Sequence, residues 1–381
     1  MAGTQLQSRR AFLSGAAMSG VASLLAGRVA PRQYRLVRAK GTHRQLGLEH
    51  GEQAAEQIRA HVDYIAHTQK LSRAGLREKA LRFKPLFDKH CPHLLEEIDG
   101  LAQGARIALA EALAVNIRGE LGHARDEACT AYAVGGNGTS RGEVLIGQTS
   151  DMSKPNIDMG YVLHLKPQNK PQVLIWTFGG MIGYHGMNSA GVAHFANALG
   201  GGPQGRFGMP HYPVKRMMLE CATMSEILEL FERVPVASNA NYMLCDGAGN
   251  ILDIEVTTDG LKLLRDEGAG FLAHTNHFLC APYATRENDE QSWPDSFPRL
   301  ARINGMVKAR FGSLTVEDVK KFLSDHSGYP TSICRHPPAG EDPQTASRTV
   351  AGIIAEPAQR RMHVALGNPC ENPFVTHAMD S

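Results

Sequence analysis

The chain has 381 residues, 43% of them hydrophobic, and a formal net charge of +2 at pH 7. That length suits one large domain or two small ones, and charges this close to balance leave no basic footprint for nucleic acid. The 39 glycines suit many tight turns between strands, and no repeat of solenoid period is visible.

The first segment, residues 1–30, carries Ser8-Arg9-Arg10-Ala11-Phe12-Leu13 and then a mild apolar stretch rich in Ala, Gly and Ser. It resembles a twin-arginine export signal. The stretch is short and weakly apolar for a bilayer span of about 20 residues, so a leader cut near residues 26–30 is expected rather than an anchor. The expected protein is periplasmic or secreted, uses the twin-arginine export machinery and has no membrane span once mature.

Residues 31–128 read mainly as helix. Ala54, Ile58, Val62 and Ile65 recur at helical spacing, and so do Leu94, Leu95, Ile98 and Leu101, in a pattern continuing toward Ala112. Gly100 and Gly104 stand at i,i+4 in the second pattern, which predicts close helix packing.

The character changes at residue 129. Strands are predicted at 129–134, 144–149, 161–166, 172–178 and 192–197. A hairpin follows, "NYMLCDGAGNILDIEV", with its turn at Asp246-Gly247-Ala248-Gly249-Asn250. Helices are predicted at 217–231 and 314–323, the second with Thr315 and Asp318 as a capping box. Paired strands at 349–354 and 362–366 close the chain. Hairpin-linked strands punctuated by helices predict an α+β fold, with sheet layers covered by helices. No glycine-rich phosphate loop follows a strand, and no GxSxG elbow is present.

The seven cysteines, Cys91, Cys129, Cys221, Cys245, Cys280, Cys334 and Cys370, contain no CxxC pair, so neither a zinc site nor a redox motif is predicted. Most are expected to be small buried residues; an oxidising compartment permits disulfides, and the odd count leaves one thiol over. His185, His274, His277 and His336 are read as packing groups or supports of the site; His274 and His277 stand three apart, a spacing that does not converge in strands or loops as it would on a helix. No metal and no cofactor are expected.

Cys129 alone reads as a buried strand residue. Its companions change that weighing. Cys129-Thr130 followed by Gly147-Gln148-Thr149-Ser150-Asp151, then "GMNSAGVAHFANAL" (186–199), "HTNHF" (274–278), "DSFPRLARI" (295–303), "SICRHP" and "GNPCENPF", with "GTHRQLGLEHG" upstream, resembles the acyl-CoA:6-aminopenicillanic acid acyltransferase (isopenicillin N acyltransferase) family. These are N-terminal nucleophile hydrolases, more distantly related to penicillin V acylase and bile salt hydrolase. The resemblance runs from about residue 40 to the end.

The resemblance implies a four-layer αββα sandwich. It implies a zymogen that cuts itself between Ala128 and Cys129, leaving residues 31–128 as an alpha chain associated with a catalytic beta chain, 129–381. Cys129 would then hold the thiol nucleophile and, in its own α-amine, the base. Asp151 would orient that amine. Asn276, and with it Asn197, would donate N–H groups to the oxyanion. Arg299 would pair with Asp151 or steady the thiolate. Two departures stand out: Ala128 occupies a position where glycine is common, and Gln148 stands where bile salt hydrolase-like relatives carry arginine.

The function implied is a cysteine amidohydrolase or acyltransferase acting on a small N-acyl substrate through a thioester. Candidate substrates are acyl-amino acids, acyl-homoserine lactones, acyl β-lactams and lipid amides. Acyl-CoA is a cytosolic donor, so export favours hydrolysis over CoA-dependent transfer. The rivals are a dipeptidase-like enzyme of the same superfamily and a catalytically silent periplasmic binding protein.

Overall fold

A computed structural model describes residues 32–122, 128–290 and 293–380, without the side chain of Glu290. The expected twin-arginine leader, residues 1–30, lies outside the described residues, as do residues 123–127 just before Ala128.

The chain opens with a strand that its sequence does not announce, β1 (Leu36–Gly41). Thr42 then caps α1 (His43–Gln53): its hydroxyl accepts from Gln45 N, and the Gln45 side chain accepts from Thr42 N. Next come α2 (Ala55–Thr68), α3 (Arg73–Leu81), α4 (Lys84–His90), α5 (Pro92–Ala105), α6 (Leu109–Asn116) and the short α7 (Arg118–Leu121). The apolar stripe read from sequence is the buried face of α2: Ile58, Val62 and Ile65, joined by His61. The pattern running to Ala112 is two helices, because Arg106 turns left-handed with φ +57° and ends α5.

Gly47 and Gly51 of α1 face Gly100 and Gly104 of α5. A Cβ on Gly47 would sit 1.8 Å from Glu97 O, and one on Gly100 would sit 2.2 Å from Arg44 O. The backbones touch because all four positions lack side chains, as the i,i+4 spacing predicted.

After residue 128 come β2 (Ala128–Val134), β3 (Leu145–Met152), α8 (Pro155–Asp158), β4 (Gly160–Pro167), β5 (Val173–Phe178), β6 (His185–Asn188) and β7 (Ala193–Ala198). The predicted helix at 217–231 is two helices, α9 (His211–Met218) and α10 (Met224–Arg233). Thr223 breaks it by capping α10 through Glu226 N. The predicted hairpin is β8 (Ala240–Cys245) and β9 (Ile251–Thr257), extended by β10 (Gly260–Leu264), and β11 (Phe271–His274) follows in the other sheet. Then follow α11 (Arg286–Glu290), α12 (Ser296–Arg310), α13 (Val316–Leu323) with the predicted capping box, β12 (Arg348–Glu356), β13 (Arg361–Leu366) and β14 (Phe374–Ala378).

Eight strands form one sheet in the order β1-β4-β5-β6-β7-β8-β9-β10, and six form the other, β11-β2-β3-β12-β13-β14. Every neighbouring pair is antiparallel except β1 with β4. The sheets meet where β2 and β3 pack on β7 and β8; α1 and α2 cover the first sheet, with α5 packed on α1, and α12 and α13 cover the second. The result is the α+β, four-layer αββα arrangement.

Strand alternation in β2 divides its side chains between the layers. Ala131 and Ala133 join the core between the sheets, whereas Tyr132 and Val134 join the core under α12 and α13. The segment before residue 123 shares that fold intimately. Beyond the β1–β4 pairing, the Tyr34 hydroxyl donates to Val350 O at 2.7 Å, where β12 bulges between Thr349 and Ala351. No helix among the described residues is long and apolar enough to cross a membrane.

Candidate active site

Cys129 is the second residue of β2, buried, and paired in register with Ser150 of β3. Its side chain shares the sheet face of Ala131 and Ala133, toward the other sheet. Its backbone is gripped from both sides. The Cys129 N–H donates to Asn276 Oδ1 at 3.0 Å, and Arg299 Nη1 donates to Cys129 O at 2.6 Å and to Thr130 Oγ1 at 3.0 Å. Arg299 Nη2 donates to the same Asn276 oxygen at 2.8 Å. One guanidinium therefore ties together the amide, the carbonyl and the asparagine around Cys129.

Asn276 follows β11 and is fixed from three directions. Its N–H donates to Ser296 Oγ at 2.7 Å, and that hydroxyl donates in turn to Thr275 Oγ1 at 2.9 Å. Its Nδ2 donates to Ala198 O at 2.9 Å. In this geometry Asn276 offers its oxygen to the Cys129 nitrogen and one Nδ2 hydrogen to β7, and the second hydrogen of that amide is the one the expected oxyanion role would use. Asn197 lies on β7, buried, with one long bond from Nδ2 to His274 O at 3.5 Å.

Asp151 departs from its expected role. Alternation turns its carboxylate to the helix side of the sheet, away from the Cys129 side chain. There it accepts from Thr349 Oγ1 at 2.7 Å and from Arg335 Nε at 3.3 Å. Arg335 also donates to Asp295, whose Oδ2 takes Arg299 Nε at 2.7 Å. Asp151 thus reaches Cys129 through a relay of Arg335, Asp295 and Arg299. Burial pushes the Asp151 carboxyl up, and Arg335, Arg299 and the Thr349 hydroxyl pull against that. Arg335, Thr349, Asp295 and Ser296 are site residues that sequence reasoning did not assign. Three of them stood in plain sight, in "SICRHP" and "DSFPR".

The histidines support this arrangement. His274 has an acceptor at each ring nitrogen, Glu255 Oε1 at 3.1 Å and Thr275 O at 2.9 Å, which suits the doubly protonated ring. Burial opposes that charge, but Asp253 and Glu255 outweigh it and raise the His274 pKa. Glu255 also accepts from the backbone of Leu279 and Cys280, so it pins the segment after Asn276. His277 stacks on Phe297 and meets Ser296; burial lowers its pKa to about 4. His185 is buried beside Tyr184 and Phe195. Gln148 is an inter-sheet tie, its Oε1 accepting from Ala196 N at 3.0 Å and its Nε2 donating to Ser150 Oγ at 2.7 Å.

His336 lies in a cluster of possible ligands that the fold assembles from distant segments. His326, Cys334, His336 and Cys370 place ligand atoms within 4.8 Å of one another, away from Cys129. A second group, His43, His93 and Glu220, meets the same criterion but is already satisfied by ion pairs: His43 to Glu97 and His93 to Glu220, both at 2.8 Å.

Comparison with known proteins agrees with the motifs. The family model described as acyl-coenzyme A:6-aminopenicillanic acid acyl-transferase matches residues 137–371. The acyl-coenzyme A:6-aminopenicillanic-acid-acyltransferase 40 kDa form of Emericella nidulans is 29% identical over 353 residues, 90% of this chain and 95% of that relative. Among solved structures, the C2A mutant of conjugated bile acid hydrolase from Clostridium perfringens aligns with TM-score 0.45 and 13% identity, over 66% of this chain and 97% of its own. Penicillin V acylase from Agrobacterium tumefaciens aligns with TM-score 0.41 and 13% identity, over 62% of this chain and 82% of its own.

Proposed function

This chain belongs to the acyl-coenzyme A:6-aminopenicillanic acid acyl-transferase family, and on that premise we propose that it is an exported, self-processing cysteine enzyme that hydrolyses N-acyl amides. The observation that carries the reading is the cradle at Cys129: its nitrogen on Asn276 Oδ1 and its carbonyl under Arg299, at the start of a buried strand.

Processing comes first. The Cys129 sulfur attacks the Ala128 carbonyl and the peptide C–N bond breaks. The nitrogen takes a proton to become an α-amine, and water hydrolyses the Ala128 thioester. The new amine keeps the bond to Asn276. An α-amine titrates near about 7.7–8.0, and the Arg299 cation beside it disfavours the ammonium form. A neutral base is therefore available at working pH.

In turnover the amine takes the thiol proton, and the thiolate attacks the amide carbonyl of the substrate. The C–N bond breaks, the leaving amine receives that proton, and an acyl thioester remains on Cys129. Water activated by the same amine releases the acid and restores the thiol. Each asparagine commits one Nδ2 hydrogen, Asn276 to Ala198 O and Asn197 to His274 O, and each keeps a second hydrogen for the oxyanion. Hydrolysis is favoured over transfer because the twin-arginine leader sends the enzyme away from cytosolic acyl-CoA. The two chains are held together after the cut by β1 in the eight-stranded sheet and by Tyr34 on β12.

Intact mass measurement of wild type and Cys129→Ala tests this reading. Wild type is expected to give a fragment beginning at Cys129, absent from the variant, and to release acid from acyl-amino acids or acyl β-lactams. An uncut wild-type chain that still hydrolyses acyl amides would overturn the α-amine mechanism. Cleavage of dipeptides but not of fatty-acyl amides would favour the peptidase alternative.

A further inference from the structure

The fold brings four metal-ligating side chains to one point from three separate segments. His326 follows α13, Cys334 and His336 flank Arg335 in the loop before β12, and Cys370 lies between β13 and β14. Four edges of the cluster are defined: His326 Nε2 to His336 Nε2 at 3.1 Å, Cys334 Sγ to Cys370 Sγ at 3.5 Å, and His336 Nε2 to Cys334 Sγ at 3.8 Å and to Cys370 Sγ at 3.4 Å.

These are four of the six edges of a small tetrahedron, and the other two, from His326 to the sulfurs, lie within 4.8 Å. An ion bound at about 2.3 Å to sulfur and about 2.05 Å to nitrogen requires edges of about 3.8 Å for S–S, 3.6 Å for S–N and 3.3 Å for N–N. Each observed edge falls within about 0.3 Å of its value. Hydrogen bonding alone does not account for the convergence. His336 Nε2 faces another imidazole nitrogen, two sulfurs and the Asn368 Nδ2 amide at 3.4 Å at once, and a neutral ring nitrogen has one lone pair or one hydrogen to offer, so at most one of these contacts is a hydrogen bond to it. A cation at the centre gives each of the four groups a bond.

The surroundings suit thiolates. Asn368 Nδ2 donates to Cys334 Sγ at 3.4 Å and to Arg335 O at 2.7 Å, and His336 Nδ1 faces Glu371 Oε1 at 3.7 Å. An outer partner on the second imidazole nitrogen is the usual way to fix a ligating ring.

We propose that His326, Cys334, His336 and Cys370 form a closed, structural Cys2His2 zinc site that clamps the loop carrying Arg335. Two thiolates neutralise the dication, and binding releases the two thiol protons to solvent. Four protein ligands leave no open position, so the ion supplies no chemistry to substrate. Its effect on the active site is positional: Arg335 stands between two ligands and points its guanidinium at Asp151 and Asp295. The site stands independently of the acylase reading.

The test uses untagged full-length protein. Elemental analysis after dialysis should give about one zinc per chain, with the same content in Cys129→Ala. Metal-free protein given cobalt(II) alone should develop tetrahedral d–d bands and a thiolate-to-cobalt charge-transfer band. Cys370→Ala and His326→Ala should each weaken zinc affinity by about tenfold or more, with near-UV circular dichroism reporting their folding. A cobalt spectrum without thiolate charge transfer would overturn the proposal, and so would unchanged zinc affinity in both variants. A metal-free chain, whether with reduced thiols or with a Cys334–Cys370 disulfide, would overturn it too. If either variant fails to fold, the wild-type cobalt spectrum decides.

Discussion

Arg335→Met removes the cation that balances the charges behind Cys129 while keeping most of its length and bulk. Asp151 is fully buried and would keep only the Thr349 hydroxyl and the more distant Arg299 as support. Breaking a buried pair by removing one partner costs about 3–5 kcal/mol. Over the unit Arg32–Ser381, an unfolding entropy of about 2.1 cal/mol/K per residue sums to about 0.7 kcal/mol/K, so the melting temperature should fall by about 4–7 °C. The pH dependence has a definite sign. Burial already raises the Asp151 pKa, and losing Arg335 raises it further. A carboxyl raised in the folded state costs stability as pH climbs from its unfolded value through its folded one, and costs nothing below both. The deficit should therefore be smallest near pH 4 and grow toward neutrality. Adding Asp151→Asn should recover part of it, because the uncompensated charge is then gone. Calorimetry across a pH series, with turnover measured alongside, reads all three. A variant that melts within about 1 °C of wild type throughout, or a deficit that shrinks as pH rises, would refute the charge relay.

Other consequences arise from the same geometry. Gly47→Val would drive a side chain into Glu97 O, so it should cost about 3 kcal/mol or more, whereas Gly305→Ala, with open space around it inside α12, should gain about 0.5–1 kcal/mol in denaturant melts. Burial pushes the Glu220 carboxyl up, but Arg216, His93 and His43 bring it down to about 2. Its contribution of about 3 kcal/mol is thus present above about pH 4.5 and lost as pH falls toward 2. Processed fragments should co-elute at pH 7 and separate in acid, with a shallower acid response in Glu220→Gln; fragments inseparable at pH 2.5 would contradict this. His274 has a raised pKa, so its contribution is complete below its ordinary value of about 6.5 and fades as pH rises through the folded one. His274→Gln should therefore flatten the alkaline decline in thermal stability. Asn276→Asp keeps the acceptor for Cys129 N but adds charge, so the acidic limb of kcat/KM should move up by about 1 unit, less than the full effect of an unshared carboxylate because Arg299 shares the oxygen.

Legibility in the sequence followed the range of the forces involved. Local signals carried through: the Ile58, Val62 and Ile65 stripe, the Thr315–Asp318 box, the Asp246–Asn250 turn and the Gly100–Gly104 contact each depend on a few neighbouring residues. β1 was illegible because what makes it a strand is its partner Val162, more than a hundred residues away. β6 is four residues long, too short for any alternation to register. At the site, motif resemblance put Cys129, Asn276 and Arg299 in one place, where the structure has them in direct contact. It did not carry the directions of the side chains. Whether Asp151 faces the thiol side or the helix side depends on a single step of strand parity, and Asn276 gives one of its two amide hydrogens to Ala198 because β7 packs over β2. The cysteine–histidine cluster lay beyond reach for the same reason: its spacings mean nothing until three loops meet.

The position of Ala128 bears on how closely the segment before it is built into the two sheets. Ala128 is not at a loop tip; it is buried in β2, paired with Asp151. A bond cut there frees an amine inside a finished sheet, where Asn276 already accepts from that nitrogen and Arg299 already holds the adjacent carbonyl. Nothing has to be rebuilt for the amine to be in place, so the geometry that would direct the cut is also the geometry that would direct turnover. The same economy ties the earlier segment down. β1 is an edge strand of the eight-stranded sheet, and Tyr34 bonds the bulge that sets Thr349 against Asp151. Losing that segment would uncover β4 and loosen the bulge, and the charge relay behind Cys129 would go with it.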